Sequence, residues 1–453
     1  MKWGEKKMGI AKNDMDMLHG GLAKKLLLFT LPIALSSMMQ QLFSAADTAV
    51  VGLFGNPGAL AAVGTNTEIV ALIVTVSSGL SIGANVLIAS RIGKNQTDDL
   101  TAALRSVLVL ALVIGLLGAA LGQLAVLPLL RLIRTPDDIF FGAALYLRIY
   151  LLGYPFLLLY DFGAAALRAR GDSRSPFFAL LFSGIANVAL NLLLVTVLRL
   201  DVAGVAIATG VSNALSAALV LRRLHRIGML RRSGRGRWAY IAETLKTGVP
   251  SAIQGAVFCF ANIFVQASVN SFGSAAIAGS AIAMNFEYLS YYGVTAFGQT
   301  ATTFTSQNYA AGQLDRCRKI LRLCLGFSVL CSLVMIVPVV VFREFFCGLF
   351  SGDPAEVECA CVRILCILLF EPVCSLYEIP AGVLRGTGRA ILPAADMMVG
   401  TCAFRIIWIM TVFRAHPSPQ TLFHAFPLSW LATIALVALT FVLCRPLRPR
   451  AAA

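Results

Sequence analysis

Several carboxylates in this chain lie inside apolar stretches, where an ionised acid has few places to go. Asp47 stands between Leu42-Phe43 and Val50-Val51. In hydrocarbon it costs about 3 kcal/mol unless it is protonated, paired or wetted by a cavity. The plainer reading puts it about 30 Å of helix beyond Leu26, near an interface where it meets water. Asn187 and Asn191 are spaced i, i+4, so a helix presents both amides on one face, and Thr209 offers a hydroxyl in the next apolar run. Asp161 and Glu378 each occupy an apolar run, and Glu378 lies between Pro372 and Pro380. Proline breaks the helical ladder and frees carbonyls, so Glu378 either faces a cation or pairs with Arg405. Glu371 lies nearby without a nameable partner. Glu68 and Glu287 open their apolar runs, as interfacial carboxylates or as an acidic vestibule that concentrates organic cations. Phe286, Tyr288, Tyr291, Tyr292 and Phe297 suit stacking on a planar cation or ordinary packing. With Glu378, Glu287 and Glu68, the candidate substrate-facing residues are Tyr291, Tyr292 and Gln254.

Other chemistries lack their residues. No phosphate loop, nucleophile elbow or HExxH helix occurs. His19, His225, His416 and His424 have no ligand spacing, and the 11 cysteines begin at Cys259 and form no C-x-x-C pair. They read as small buried hydrophobes. No catalytic residues, cofactor or resident metal are expected, beyond transient Na⁺ at Asp47.

The elements that hold these residues are membrane helices. Hydrophobic residues make up 58% of the 453 and charged residues only 13%, against about 25% in soluble domains. Lys and Arg exceed Asp and Glu by 37 to 22, a net charge of +15 clustered in short loops, which argues against nucleic acid as a partner. The apolar run Leu26 to Phe54 is too long for a signal peptide's core and reads as a first span. Runs near 60–90, 102–127, 139–166, 176–198, 203–222, 240–270, 276–305, 320–342, 360–384, 391–413 and 425–444 follow, each long enough for a hydrocarbon core of about 30 Å.

The chain also says one thing twice. Pro155 to Pro176 and Pro372 to Pro393 are displaced by 372 − 155 = 217 positions, and at that offset Pro155, Leu159, Tyr160, Ala164, Leu167, Arg168, Gly171 and Pro176 all recur. Asp161 answers to Glu378. Gly79 and Gly93 answer to Gly298 and Gly312 at 219, as Asn66-Thr-Glu68 does to Asn285-Phe-Glu287; Pro32 answers to Pro250 at 218. The expected fold is an all-α integral membrane protein of about twelve transmembrane helices. They form two six-helix repeat lobes related by a pseudo-twofold axis along the membrane normal.

The expected divisions are an N-terminal arm (1–25), a first lobe (26–224), a basic linker (225–239), a second lobe (240–444) and a tail (445–453). The arm, Arg91–Lys94, Arg168/Arg170/Arg174, Arg222–Arg237, Arg316–Arg322, Arg385/Arg389 and the tail share one side, with Arg131 and Arg134 the exceptions. The positive-inside rule then makes both termini cytoplasmic in a multi-pass protein of the cell membrane. Arg168 and Arg385 should close the cytoplasmic ends of the lobes by binding carbonyls or carboxylates.

Twelve spans in two lobes, the L-R-x-x-G turns at Leu167–Gly171 and Leu384–Gly388, Gly298 with Gln307-Asn308-Tyr-Ala-Ala-Gly312, Ala46-Asp47-Thr48 and Pro427-Leu-Ser-Trp430 together resemble the multidrug and toxic compound extrusion (MATE) transporters, over residues 22 to 445. The resemblance implies secondary active efflux of cationic, amphipathic organic compounds by antiport with H⁺ or Na⁺. It implies that Asp47, Asn187, Asn191 and Thr209 form the first lobe's cation-coupling site. Asn191 stands where relatives often carry an aspartate, which weakens the inference of tight Na⁺ binding. Asp161, where relatives often carry asparagine, restores the acid count, giving a hard-oxygen site for Na⁺ or a proton relay. The acid that some branches carry in the seventh span is absent, Phe258 and Cys259 occupying that region.

The expected partners are small organic cations and membrane lipid, with the chain acting as a monomer. A lipid-linked precursor flippase of the same broad superfamily is the alternative, disfavoured because embedded arginines are few (Arg148 and Arg405). A non-transporting receptor or a membrane enzyme is a third reading, and no convergent constellation supports an enzyme.

Overall fold

A computed structural model describes residues 14–56, 58–133, 135–230 and 238–448. Most of the arm, Arg134, the linker residues 231–237 and the end of the tail lie outside the described residues. The rest is helical, with no strand. In chain order the long elements are α1 (Leu22–Phe54), α2 (Ala59–Gly93), α3 (Thr97–Leu132), α4 (Asp137–Leu152 and Tyr154–Arg170), α5 (Arg174–Val197), α6 (Asp201–Arg226), α7 (Trp238–Asn270), α8 (Ser274–Ala310), α9 (Leu314–Val341), α10 (Pro354–Gly386), α11 (Ile391–Phe413) and α12 (Pro419–Cys444).

Among the described residues, ten of these are long and apolar enough to cross a membrane, and α4 makes an eleventh as a pair of limbs bent by 44°. The bend falls at Gly153, with Pro155 opening the second limb, where its missing N–H costs nothing. A side chain at Gly153 would lie 3.0 Å from the Gly210 backbone, so two glycines let α4 and α6 touch at the bend. α8 spans 37 residues but is less apolar, because Thr300 to Asn308 is mostly polar and buried. Thr300, Thr302 and Thr303 return their hydroxyls to carbonyls four residues back, as Asn308 returns its amide.

The chain forms two compact units. Unit 1 comprises Leu35–Gly248 with Met1–His19, and unit 2 comprises Gly20–Ala34 with Val249–Ala453. Each boundary inside a helix falls beside that helix's internal proline, Pro32 in α1 and Pro250 in α7, where one ladder hydrogen bond is missing. A unit therefore takes the short end of a helix that chain order assigns to the other lobe. Val50, Ala62, Leu147 and Val205 belong to the core of unit 1. In unit 2, Val265, Val294, Tyr377 and Trp430 do the same.

The repeated turns acquire a physical reason. Gly171 takes φ +104° and Gly388 φ +82°, the left-handed region that costs glycine nothing. Asp172 N–H donates to the Leu167 carbonyl at 3.0 Å, and Arg389 N–H to Leu384 at 3.0 Å, so each L-R-x-x-G closes its helix with a six-to-one bond. α2 and α8 close alike, with left-handed residues at Asn95 and Gly312. These also lie 312 − 95 = 217 apart. The sequence aligns Gly312 with Gly93 instead, but Gly93 is the last helical residue of α2. Asparagine tolerates the left-handed conformation, so the equivalence carries no glycine to betray it.

Candidate functional site

In unit 1, Phe43 of α1 lies against Gly184 of α5 so closely that a side chain at 184 would overlap its ring. One turn beyond Phe43 stands Asp47, and one and two turns beyond Gly184 stand Asn187 and Asn191. The contact brings these three together. Asn191 Nδ2 donates one hydrogen to Asp47 Oδ1 and the other to Asn187 Oδ1, at 3.2 Å in the second case. Thr209 Oγ1 of α6 lies 3.3 Å from Asp47 Oδ2 and 3.0 Å from its own helix's Val205 carbonyl. Asn191 is wholly buried, and its Oδ1 has no hydrogen-bond partner. Directly after it α5 loosens into a π-helical turn, Leu193–Val197. Among the described residues Asp47 forms no ion pair. Its oxygens meet neutral donors alone.

Asp161 shares no hydrogen bond with this cluster, and its buried Oδ2 has no partner. Tyr150, buried on α4 and stacked on Tyr146 at 6.2 Å, lies within electrostatic reach of both Asp47 and Asp161. Sequence reasoning missed the two tyrosines, whose spacing of four residues on an apolar helix resembles simple packing. Glu68 is exposed at the start of the long segment of α2.

Unit 2 is built differently. Glu378 pairs with Arg385, both buried on α10, and not with Arg405. The two residues are seven apart, two helical turns, which a glutamate and an arginine can bridge. Gly298 of α8 leaves room for the carboxylate, since a side chain there would come within 2.7 Å of Glu378 Oε1. The interruption expected around Glu378 lies earlier: Leu368–Cys374 is a 3₁₀ stretch containing Glu371, and α-helix resumes from Ser375 through Pro380.

Glu287, which the sequence pairs with exposed Glu68, is held bidentately by Arg363 at 2.7 and 2.8 Å. Arg363, 4% exposed, is an embedded arginine that the sequence reading passed over, while Arg148 is exposed. Glu371 is 3% exposed, and its Oε2 has no partner. The aromatic stretch on α8 does not act as one surface. Tyr291 stacks on Phe258, Tyr288 on Tyr292, and Phe286 meets Phe346 and Phe350, while Phe297 is buried. Residues at 100° per position on a helix face different neighbours. Gln254 is half-buried on α7, its amide 3.0 Å from Met397 Sδ.

Comparison with known proteins accounts for this doubled architecture. The family model described as MatE matches residues 32–193 and again 250–411, two stretches offset by 250 − 32 = 218 positions. A probable multidrug resistance protein of Bacillus subtilis, YoeA, is 26% identical over 379 residues, covering 81% of each chain. A protein of Shewanella oneidensis named FAD transporter is 26% identical over 418 residues, covering 89% of this chain and 90% of its own. The fold matches a solved outward-facing MATE family transporter of the MOP superfamily with a TM-score of 0.88, at 18% identity, over 97% of this chain and 99% of that one. With both halves matched by one family model, this chain belongs to the MatE family of multidrug efflux transporters, multi-pass membrane proteins that carry their substrates and catalyse no reaction.

Proposed function

We propose that the chain exports amphipathic organic compounds by antiport with H⁺ or Na⁺, and that the coupling ion binds at Asp47 in unit 1. One observation carries this reading. Asp47 is a carboxylate in a membrane helix whose partners, Asn191 and Thr209, are neutral. An arginine would fix its charge; amide and hydroxyl donors leave it free to gain or lose a cation. Both carboxylate oxygens already accept hydrogen bonds, which suits a proton, since one proton on the carboxyl exchanges with one such bond. Na⁺ needs several oxygens around it. The Asn187 and unpaired Asn191 amide oxygens supply them if the Asn191 amide rotates.

Binding at Asp47 changes the charge and hydration of one unit, and the ion shifts the transport cycle only by binding one state better than another. The expectation that the exported compounds are cations comes from the family resemblance, with Glu68, Glu287 and Glu378 as the candidate substrate-facing acids. Of these acids, Glu287 and Glu378 are each held by an arginine, and Glu68 is exposed. The Shewanella oneidensis relative's name, FAD transporter, widens the class to an anionic aromatic compound. Both termini on the cytoplasmic side, and action as a monomer in the cell membrane, complete the proposal. The test is substrate flux into proteoliposomes under a pH gradient and a Na⁺ gradient imposed separately, with wild type and Asp47→Asn. The gradient that drives wild type names the ion, and coupling that persists in Asp47→Asn removes the residue from the mechanism.

A further inference from the structure

Three arginines, Arg363, Arg385 and Arg405, are buried in the membrane helices of unit 2, and they are not all matched by acids. Glu287 is taken by Arg363 and Glu378 by Arg385. Arg405 remains, and it forms no ion pair among the described residues; nor do Glu371 and Asp396, each with a buried carboxylate oxygen that has no partner. Arg405 is only 1% exposed. A guanidinium so placed ordinarily finds a carboxylate, because a buried charge without one is costly.

What Arg405 does find is neutral. Nε donates to Ser429 Oγ at 3.1 Å and Nη1 to Asn262 Oδ1 at 3.4 Å. The planar cation lies 4.0 Å from the centre of the Phe426 ring and 5.7 Å from that of Phe258. Helix geometry is disturbed on both sides of it. In α11 the single α-helical turn Phe404–Trp408 is flanked by π-helical stretches, Met398–Ala403 and Ile409–Phe413. Such turns are rare and recur at functional sites.

The surroundings suit a ring as well as a charge. Gln254, Phe258 and Asn262 repeat every four residues on α7 and form one half-buried stripe, amide–aromatic–amide. Phe258 and Tyr291 lie parallel, 6.4 Å apart with 7° between their planes. We propose that Arg405 is a receptor for an oxyanion, a phosphate or carboxylate, on a planar aromatic substrate. Phe258 and Tyr291 offer faces to the ring, Gln254 and Asn262 offer amides, and the Arg405 guanidinium, which has no carboxylate partner among the described residues, takes the acid. A guanidinium binds such groups as a planar fork of charge-assisted hydrogen bonds. The assignment deepens the transport reading by naming a substrate class, and rests on that reading only for the substrate's onward movement.

Binding by the purified full chain tests it, using the fluorescence of two flavins that differ by one phosphate, riboflavin and flavin mononucleotide. Wild type should bind the mononucleotide about tenfold more tightly, the effect of one charge-assisted contact. Inorganic phosphate should compete against it and not against riboflavin. In Arg405→Gln the two affinities should come within about twofold, with riboflavin binding unchanged; Arg405→Lys should retain an intermediate preference. Asp47→Asn should keep the full preference even where coupled transport is lost, which separates the two readings. Equal affinities in wild type, failure of both flavins to bind, or a preference that survives Arg405→Gln would each overturn the assignment. If Arg405→Gln does not fold, Arg405→Lys decides the assignment, since a preference equal to that of wild type would overturn it.

Discussion

Glu378 and Arg385 stand seven residues apart on α10 and form a buried ion pair. Asp161 and Arg168 stand seven apart in the equivalent place on α4 and form none. The two copies differ there by a methylene. Glutamate bridges two helical turns to the arginine, whereas the shorter aspartate stops short and keeps an unpartnered oxygen. Copy two therefore spends its acid on structure, and copy one leaves it available within electrostatic reach of Tyr150.

Asp161→Glu combined with Ser81→Gly should reproduce the second copy's pair in the first, Ser81 standing 298 − 81 = 217 positions before the glycine that makes room for Glu378. The expected outcome is a protein more stable by about 1.5 kcal/mol, the worth of a hydrogen bond to a charged group, with slower gradient-driven flux. Thermal unfolding in detergent and proteoliposome flux measure the two effects. A variant both less stable and fully active would mean that the missing methylene is not what separates the copies.

Removing one member of the second copy's pair should be costly. Glu378→Gln strands the Arg385 guanidinium and is expected to destabilise by about 3–5 kcal/mol. The double variant Glu378→Leu with Arg385→Met should cost markedly less than either single change, because it strands no charge. Additive losses in such a double-mutant cycle would argue against the pair.

Gly184 tests the packing that assembles the coupling site. Gly184→Val puts atoms where the Phe43 ring lies, so α1 must shift off α5. Overpacking of this kind costs about 1–3 kcal/mol. Coupled flux should fall although every polar group of the site remains, and Phe43→Ala in the same chain should recover part of it. An unchanged Gly184→Val protein would show that α1 does not need this register.

The helix-closing turns divide by what surrounds them. Gly312→Asn should be nearly neutral, since Asn95 already holds the equivalent conformation in the other unit. Gly171→Asn should be worse than Gly388→Asn. Any side chain at 171 meets the Met15 carbonyl at 2.4 Å, while the space around 388 is open. Melting temperatures of the three variants rank them, and a neutral Gly171→Asn would contradict the ranking.

Membrane helices, their duplication and the family were legible in the sequence because each is written in runs of residues: apolar spans, flanking arginines and an offset near 217. The members of the unit 1 cluster were named from resemblance, and the contact that assembles them was not readable. Gly184 and Phe43 are unremarkable residues until two helices touch. Ion pairing in unit 2 was legible only in part. Glu378 has two arginines to choose from, and the one it meets lies two turns on along its own α-helix, which continues through Pro380 where the sequence suggested a break. Arg363 escaped notice because a lone arginine near the start of a span looks interfacial, and only the fold shows Glu287 opposite it.

Proteoliposomes carrying the wild type or Asp47→Asn, loaded with whichever of ethidium and flavin mononucleotide the wild type transports, give the most direct test of coupling at Asp47. Under an imposed ion gradient the wild type should move substrate against its own concentration gradient. Asp47→Asn should lose that uphill movement by at least about tenfold while still exchanging substrate downhill. Uphill transport by Asp47→Asn at the wild-type rate would contradict the account.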